Sequence, residues 1–218
     1  MKVVFITPFY NASRNFETLI SSISDQENQN WEHIFVDDMS TDNSVEVLKN
    51  LTKEDSRFSV ISNKEKKFAL RNIVDAARGF QDDEDVIIAV IDGDDSLCNT
   101  KTVDFLISEY SQGSEVVWTG HKWDINSMNI SREMPNNVNP YQWPWCSSHL
   151  KTFKASLLKS INDDNFKDLD GNWFIRGYDQ ALMLPALYVA NNRKYVDEIC
   201  YQYNINSVSV ENRVWVEK

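Results

Sequence analysis

Two hydrophobic rhythms alternate along the first 120 residues. Compact apolar runs at residues 3–7, 33–36, 58–61 and 86–91 are separated by stretches where apolar side chains recur every three or four positions. An unbroken run suits a strand covered on both faces, and the wider spacing suits the inner stripe of an amphipathic helix. The stripes are Phe16, Leu19, Ile20 and Ile23, then Val45, Leu48 and Leu51 behind a cap among residues 41–43. They continue with Leu70, Ile73, Val74 and Ala77, closed by Gly79, and with Val103, Leu106, Ile107 and Tyr110. A further strand is predicted at residues 115–119. Strands alternating with helices of this length predict parallel pairing through right-handed crossovers, hence an α/β fold with a mostly parallel central sheet flanked by helices.

The second half changes character. Residues 126–144 are polar and Asn-rich and hold Pro135, Pro140 and Pro144, which predicts a long loop. Helices are expected around residues 155–160 and 179–190, and a short strand at 195–199. No internal repeat, low-complexity tract or Gly/Ser linker divides the chain, so one domain is expected.

Composition narrows the partners. With 42% hydrophobic and 25% charged residues over 218 positions, the chain reads as globular. A formal net charge of −11 argues against a nucleic-acid partner, which would need a basic footprint. A nucleotide ligand stays compatible with that charge if a cation offsets it locally. Cys98, Cys146 and Cys200 are odd in number and widely spaced, which suggests free thiols in a reducing compartment. No apolar run is long enough to span a bilayer, and the opening residues read as a first strand rather than a signal peptide. A soluble, cytoplasmic protein is expected.

The chemistry concentrates where the most apolar run ends, at Asp92-Gly93-Asp94-Asp95. Crowding carboxylates at a strand end costs like-charge repulsion, and a hard divalent cation with oxygen ligands would relieve it. Open α/β sheets bind ligands at that end of their strands. An EF-hand is a poor alternative, because position twelve counted from Asp92 is Val103, where Glu is required. The histidines are His33, read as a strand residue, His121, read as a strand end, and His149, read as bracing a loop.

Four stretches in one order carry a resemblance: residues 7–11 (TPFYN), 36–42 (VDDMSTD), 91–95 (IDGDD) and 177–179 (GYD). Together they resemble the family 2 inverting glycosyltransferases with the GT-A fold, over most of residues 3–205. Residues 148–153 (SHLKTF) resemble the branch found in large algal viruses. The resemblance implies a single GT-A domain spanning 1–218, with residues 1–120 as the nucleotide-binding half and 121–218 as the acceptor-binding half. It implies a metal-dependent inverting glycosyltransferase moving a sugar from a nucleotide diphosphate sugar, most simply a UDP-sugar, to a hydroxyl of a glycan acceptor. The chain would act as a free enzyme or as a module of a longer polypeptide.

Residue roles follow from the same resemblance. Thr7, Pro8 and Tyr10 end the first strand beside the nucleotide pocket, where Tyr10 either stacks on the base or merely packs. Asp38 would accept the uracil ring N–H; its plainer reading is a turn residue. Arg71 stands where similar enzymes contact the nucleotide, or else is a surface arginine. Asp92, Gly93 and Asp94 fit the Asp-x-Asp motif. Asp94 would bind Mn2+ or Mg2+ directly, and Asp92 would reach the ribose or a metal-bound water. Asp95 would hold the acceptor or brace the loop. Asp179 corresponds to the base that takes the acceptor proton; alone it would read as a helix N-terminal acid. The family usually places Glu before this Asp, whereas Tyr178 stands here. Some related enzymes use a late histidine as a further metal ligand, which in this chain is His149 or absent. Trp143 and Trp145, in an aromatic loop, either line the acceptor or donor-sugar pocket or pack against the sheet.

Two other functions fit parts of the pattern. Asp92 to Ser96 also reads as the nucleophile motif of a haloacid dehalogenase type phosphohydrolase, although that motif normally sits on the chain's first strand. A sugar-nucleotide-binding module without turnover is the other.

Overall fold

A computed structural model describes residues 1–204; residues 205–218, the end of the expected acceptor-binding half, lie outside the described residues. In chain order the strands and helices are β1 (Lys2–Phe9), α1 (Phe16–Ser24), β2 (Trp31–Asp37), α2 (Ser44–Thr52), β3 (Phe58–Ser62), α3 (Phe68–Arg78) and β4 (Val86–Val90). There follow β5 (Ser96–Leu97), α4 (Thr102–Ser111), β6 (Val116–Trp123), β7 (Lys151–Lys154), α5 (Tyr178–Val189) and β8 (Arg193–Tyr203). The strands form one sheet in the order β3-β2-β1-β4-β7-β6-β8-β5. Strands β1 to β4 pair in parallel, as the alternation predicts. Antiparallel β7 then separates β4 from β6, so the whole sheet is mixed.

Period-two alternation splits the central strands between two apolar clusters. Val4, Ile6, Ile88 and Val90 pack with α3 and α5 on one face, while Val3, Phe5, Ile87 and Ala89 pack with α1 and α4 on the other. Both clusters draw on residues before and after position 120, which itself lies inside β6. Val3 to Ile6 and Val86 to Ile91 are essentially inaccessible, which explains their unbroken apolar composition.

Several expected elements differ. Residues 155–160 form a 3-10 helix, not an α-helix. The strands expected at 115–119 and 195–199 extend to Trp123 and to Arg193–Tyr203. Strand β7 and the two-residue β5 were not expected at all. The predicted loop holds as coil, apart from one 3-10 turn at Pro140–Gln142. Cys98, Cys146 and Cys200 are all free thiols.

His33 gives the fold a pH dependence. It is fully buried in β2, bonded through Nε2 to Thr7 Oγ1 at 2.9 Å and stacked on Phe35. Burial lowers its pKa from 6.5 to about 3. Below pH 6.5 the unfolded chain therefore takes up a proton that the folded chain refuses, and stability falls as the solution is acidified. His33→Phe keeps the packing and removes the titration. Wild type should lose about 2 kcal/mol more than this variant between pH 7 and pH 5, as read by denaturant unfolding at both values.

Candidate active site

Within the sheet, β1 lies between β2 and β4, so the chain leaves β1 toward β2 on one side and later returns to β4 on the other. A crevice forms at the carboxyl ends of strands where the order reverses in this way. A cleft of about 840 Å³ opens there. Pro8, Phe9 and Asp92 sit at the strand ends, Asp38, Phe68 and Asn72 line one side, and Tyr178 and Asp179 line the other. Gly93 lets the acidic loop lie close against the end of β1: a Cβ on it would stand 3.3 Å from the Phe9 Cβ and 3.6 Å from the Thr7 Cγ2.

Asp38 is 5% exposed and holds the start of α3. Its Oδ1 accepts the Lys67 N–H at 2.7 Å, and its Oδ2 accepts the Phe68 N–H at 3.1 Å. The carboxylate thus caps the helix while lining the cleft. Asp38→Ala should cost about 1 kcal/mol of stability, as loss of a helix N-terminal acceptor does. It should also weaken UDP binding at 25 °C by titration calorimetry. A stability loss with unchanged UDP affinity would leave Asp38 a cap only.

Thr7 is fully buried and bonded to His33, so it supports the end of β1 from inside rather than facing the cleft. Tyr10 is 46% exposed at the rim, with the Lys66 Nζ 3.3 Å from its ring centre. Lys66 itself lines the cleft beside Tyr10.

The acidic loop is tied down by tyrosines from distant elements. The Tyr178 hydroxyl donates to Asp92 Oδ1. The Tyr201 hydroxyl accepts the Asp92 N–H at 3.1 Å and donates to Asp95 Oδ2 at 2.7 Å. The Asn204 N–H donates to Asp95 Oδ1 at 2.8 Å. His149 stacks on Tyr201 with ring centres 4.5 Å apart. Burial, reinforced by the charges of Asp92 and Asp94, pushes the Asp95 carboxyl up to about 8. Burial raises Asp92 as well, against the opposing pull of the Lys151 ammonium. Lys151, at 0% exposed, forms an ion pair with Asp179, whose side chain is 36% exposed to the cleft.

Among the described residues, Asp92, Asp95 and His149 each offer a ligand atom, all within 4.8 Å of one another. Two carboxylates and an imidazole suit Mn2+ and, less fully, Mg2+. Burial, and after it the charge of neighbouring carboxylates, raises both carboxyls, and a divalent ion would offset the carboxylate part of that cost. The group therefore fits the expected metal, with Asp95 converging where the motif pointed to Asp94. Each carboxylate has about four lone-pair directions, so the tyrosine bonds leave capacity for a cation.

Other expected site residues stand elsewhere. Arg71 lies one helix position outside the cleft lining, with ion pairs to Glu65 at 3.7 Å and Asp75 at 3.9 Å. Trp145 packs against the core, and Trp143, 37% exposed, lines neither the cleft nor the smaller cavity beside it. That smaller cavity, about 330 Å³, takes Tyr141 from the aromatic loop and shares Arg176 and Gly177 with the cleft.

Comparison with known proteins agrees with this architecture. The chain belongs to the family described as Glycosyl transferase family 2, which it matches over residues 4–166. It is 25% identical over 225 residues to glycosyltransferase GlyG of Streptococcus pneumoniae, covering 94% of this chain and 71% of GlyG. A shorter match, 42% identical over 59 residues, covers 27% of this chain and 23% of the putative teichuronic acid biosynthesis glycosyltransferase TuaG of Bacillus subtilis. The fold is similar to S. aureus TarS 1-349 in complex with UDP-GlcNAc, with a TM-score of 0.74 at 20% identity, covering 95% of this chain and 59% of that one. It is also similar to the mannosyltransferase PcManGT of Pyrobaculum calidifontis in complex with GDP-Man and Mn2+, with a TM-score of 0.62 at 14% identity, covering 97% of this chain and 59% of that one. The chain thus spans about three fifths of those two structures. No helix among the described residues is long and apolar enough to cross a membrane.

Proposed function

We propose that this chain transfers a sugar from a UDP-sugar to a hydroxyl of a glycan acceptor, with inversion at the anomeric carbon and a divalent metal bound. The observation that carries this is the convergence of Asp38, Asp92 and Asp179 on one cleft at the carboxyl edge of the parallel strands. TarS, with UDP-GlcNAc in its complex, shares the fold.

In the proposed reaction Asp38 accepts the uracil N–H and Tyr10 borders the base. Asp92, Asp95 and His149 would hold Mn2+ or Mg2+. When bound, that ion would offset the negative charge growing on the departing diphosphate. Asp179 accepts the proton of the acceptor hydroxyl as its oxygen bonds to the anomeric carbon. The bond from that carbon to the β-phosphate oxygen breaks in the same displacement, and UDP leaves. A single displacement needs one such carboxylate, so Tyr178 in place of the family's usual Glu leaves the chemistry intact. The Tyr178 hydroxyl instead steadies Asp92.

A panel of UDP-, GDP- and CDP-sugars assayed for nucleotide release with Mn2+ tests the proposal. UDP should be released from at least one UDP-sugar, and chelation should suppress it. Release of phosphate from an aryl phosphate instead, with no nucleotide release, would favour the phosphohydrolase. Tight UDP binding with no release from any donor would favour a binding module.

A further inference from the structure

We propose that Lys151 is the positioning residue for the base: its ammonium holds one oxygen of Asp179 and keeps the carboxylate aimed at the acceptor. The inference rests on the role proposed for Asp179.

Lys151 is the first residue of β7, in register with Val90 of β4 and Trp118 of β6 at the middle of the sheet. Val90 is two residues before Asp92, so the pairing sets Lys151 directly beneath the acidic loop. The lysine is inaccessible to solvent, and its ammonium lies 5.0 Å from the Tyr178 ring centre. A buried ammonium costs several kcal/mol of desolvation unless anions surround it. Here Asp179 takes a direct bond, and the charges of Asp92 and Asp95 add to the field that favours the protonated amine.

Asp179 stands on a different kind of element. It occupies the first turn of α5, after Gly177 at φ 61°, on a connection that starts from coil. A short carboxylate there has two rotatable bonds and two equivalent oxygens. The bond from Lys151 binds Oδ1 and leaves Oδ2 for the acceptor hydroxyl. A strand at the sheet centre thereby fixes a group on a helix start, which is how a reactive side chain gains orientation. Lys151 does not line the cleft, so it acts through Asp179 and not on the substrate.

The test uses the UDP-sugar that gives the fastest UDP release with Mn2+, and compares Lys151→Met, Asp179→Asn and the double variant. Lys151→Met should lower kcat about 100-fold, within the range of general-base catalysis. The donor KM and the UDP Kd should stay within about threefold of wild type, since no nucleotide contact is removed. The double variant should turn over at the rate of Asp179→Asn alone, because a residue acting only through Asp179 has nothing left to act on. A kcat within threefold of wild type for Lys151→Met would overturn the proposal. So would raised KM and UDP Kd at unchanged kcat, or a further tenfold fall in the double variant, which would assign Lys151 to Asp92 or to the scaffold. If Lys151→Met fails to bind UDP because Asp179 is left uncompensated, the double variant removes that carboxylate and its rate against Asp179→Asn decides. Failure of both to bind UDP would make Lys151 a scaffold residue and overturn the proposal. Wild-type turnover in Asp179→Asn would instead remove the base assignment itself.

Discussion

Asp179→Asn should abolish sugar transfer, by 1000-fold or more, and leave UDP affinity within about threefold of wild type. General-base catalysis contributes about 10² to 10⁴ in rate, and an amide cannot take the proton. Asp179 bonds to Lys151 of β7, which β1 and β4 separate from the end of β2 that carries Asp38, so its loss removes no contact expected with the base. The substitution also removes the carboxylate bonded directly to the buried Lys151 ammonium, which adds a stability loss. UDP titration and thermal melting separate the two effects. A fall in kcat with a retained UDP isotherm marks a base, whereas parallel loss of both marks a folding defect. Unchanged turnover would remove Asp179 from the chemistry.

Asp92→Asn should erase the gain in UDP affinity that Mn2+ gives the wild type. A ligand position matters more than an outer-shell partner, whose loss already costs 10- to 100-fold in metal affinity, so about 100-fold or more is expected. Asparagine keeps an oxygen for the Tyr178 hydroxyl and removes only the charge. Since burial raises the Asp92 carboxyl, its ionised form is disfavoured in the folded chain. Removing that charge should therefore leave the metal-free protein as stable as wild type near pH 7, or more so. UDP titrations with and without Mn2+, with melting curves in chelator, read both outcomes. An intact metal response would move the ligand set elsewhere.

Much of the side of the cleft built by β1, β2 and β4 was legible in the chain. Strands β1, β2 and β4 are buried on both faces, so their apolar runs stand out. Pro8, Asp38 and Asp92 lie within two residues of their ends, on three neighbouring strands. The opposite side was harder to read, for definite reasons. Strand β7 has the sequence Lys-Thr-Phe-Lys, which looks like a solvated turn; Lys151 is nonetheless buried because Asp179 answers its charge. Tyr201 reaches Asp92 and Asp95 from more than 100 residues downstream, through a strand whose exposed charges hid its length. His149 and Asp95 converge only once β7 and β8 take their places beside β4 and β6. The aromatic loop suggests either a wall of the acceptor or donor-sugar pocket or packing against the sheet; Trp145 packs on the core, and Tyr141, rather than Trp143, lines the cavity next to the cleft. Arg71 falls one step away from the helix face that meets the cleft, a difference of about 100° that periodicity alone does not fix.

The most direct test is a crystal structure with UDP and Mn2+ bound. The uracil should lie against Asp38, with the metal between the diphosphate and the group formed by Asp92, Asp95 and His149, and with Asp179 facing the space beyond the β-phosphate. A nucleotide bound outside this cleft, or a metal held by none of those three side chains, would contradict the account.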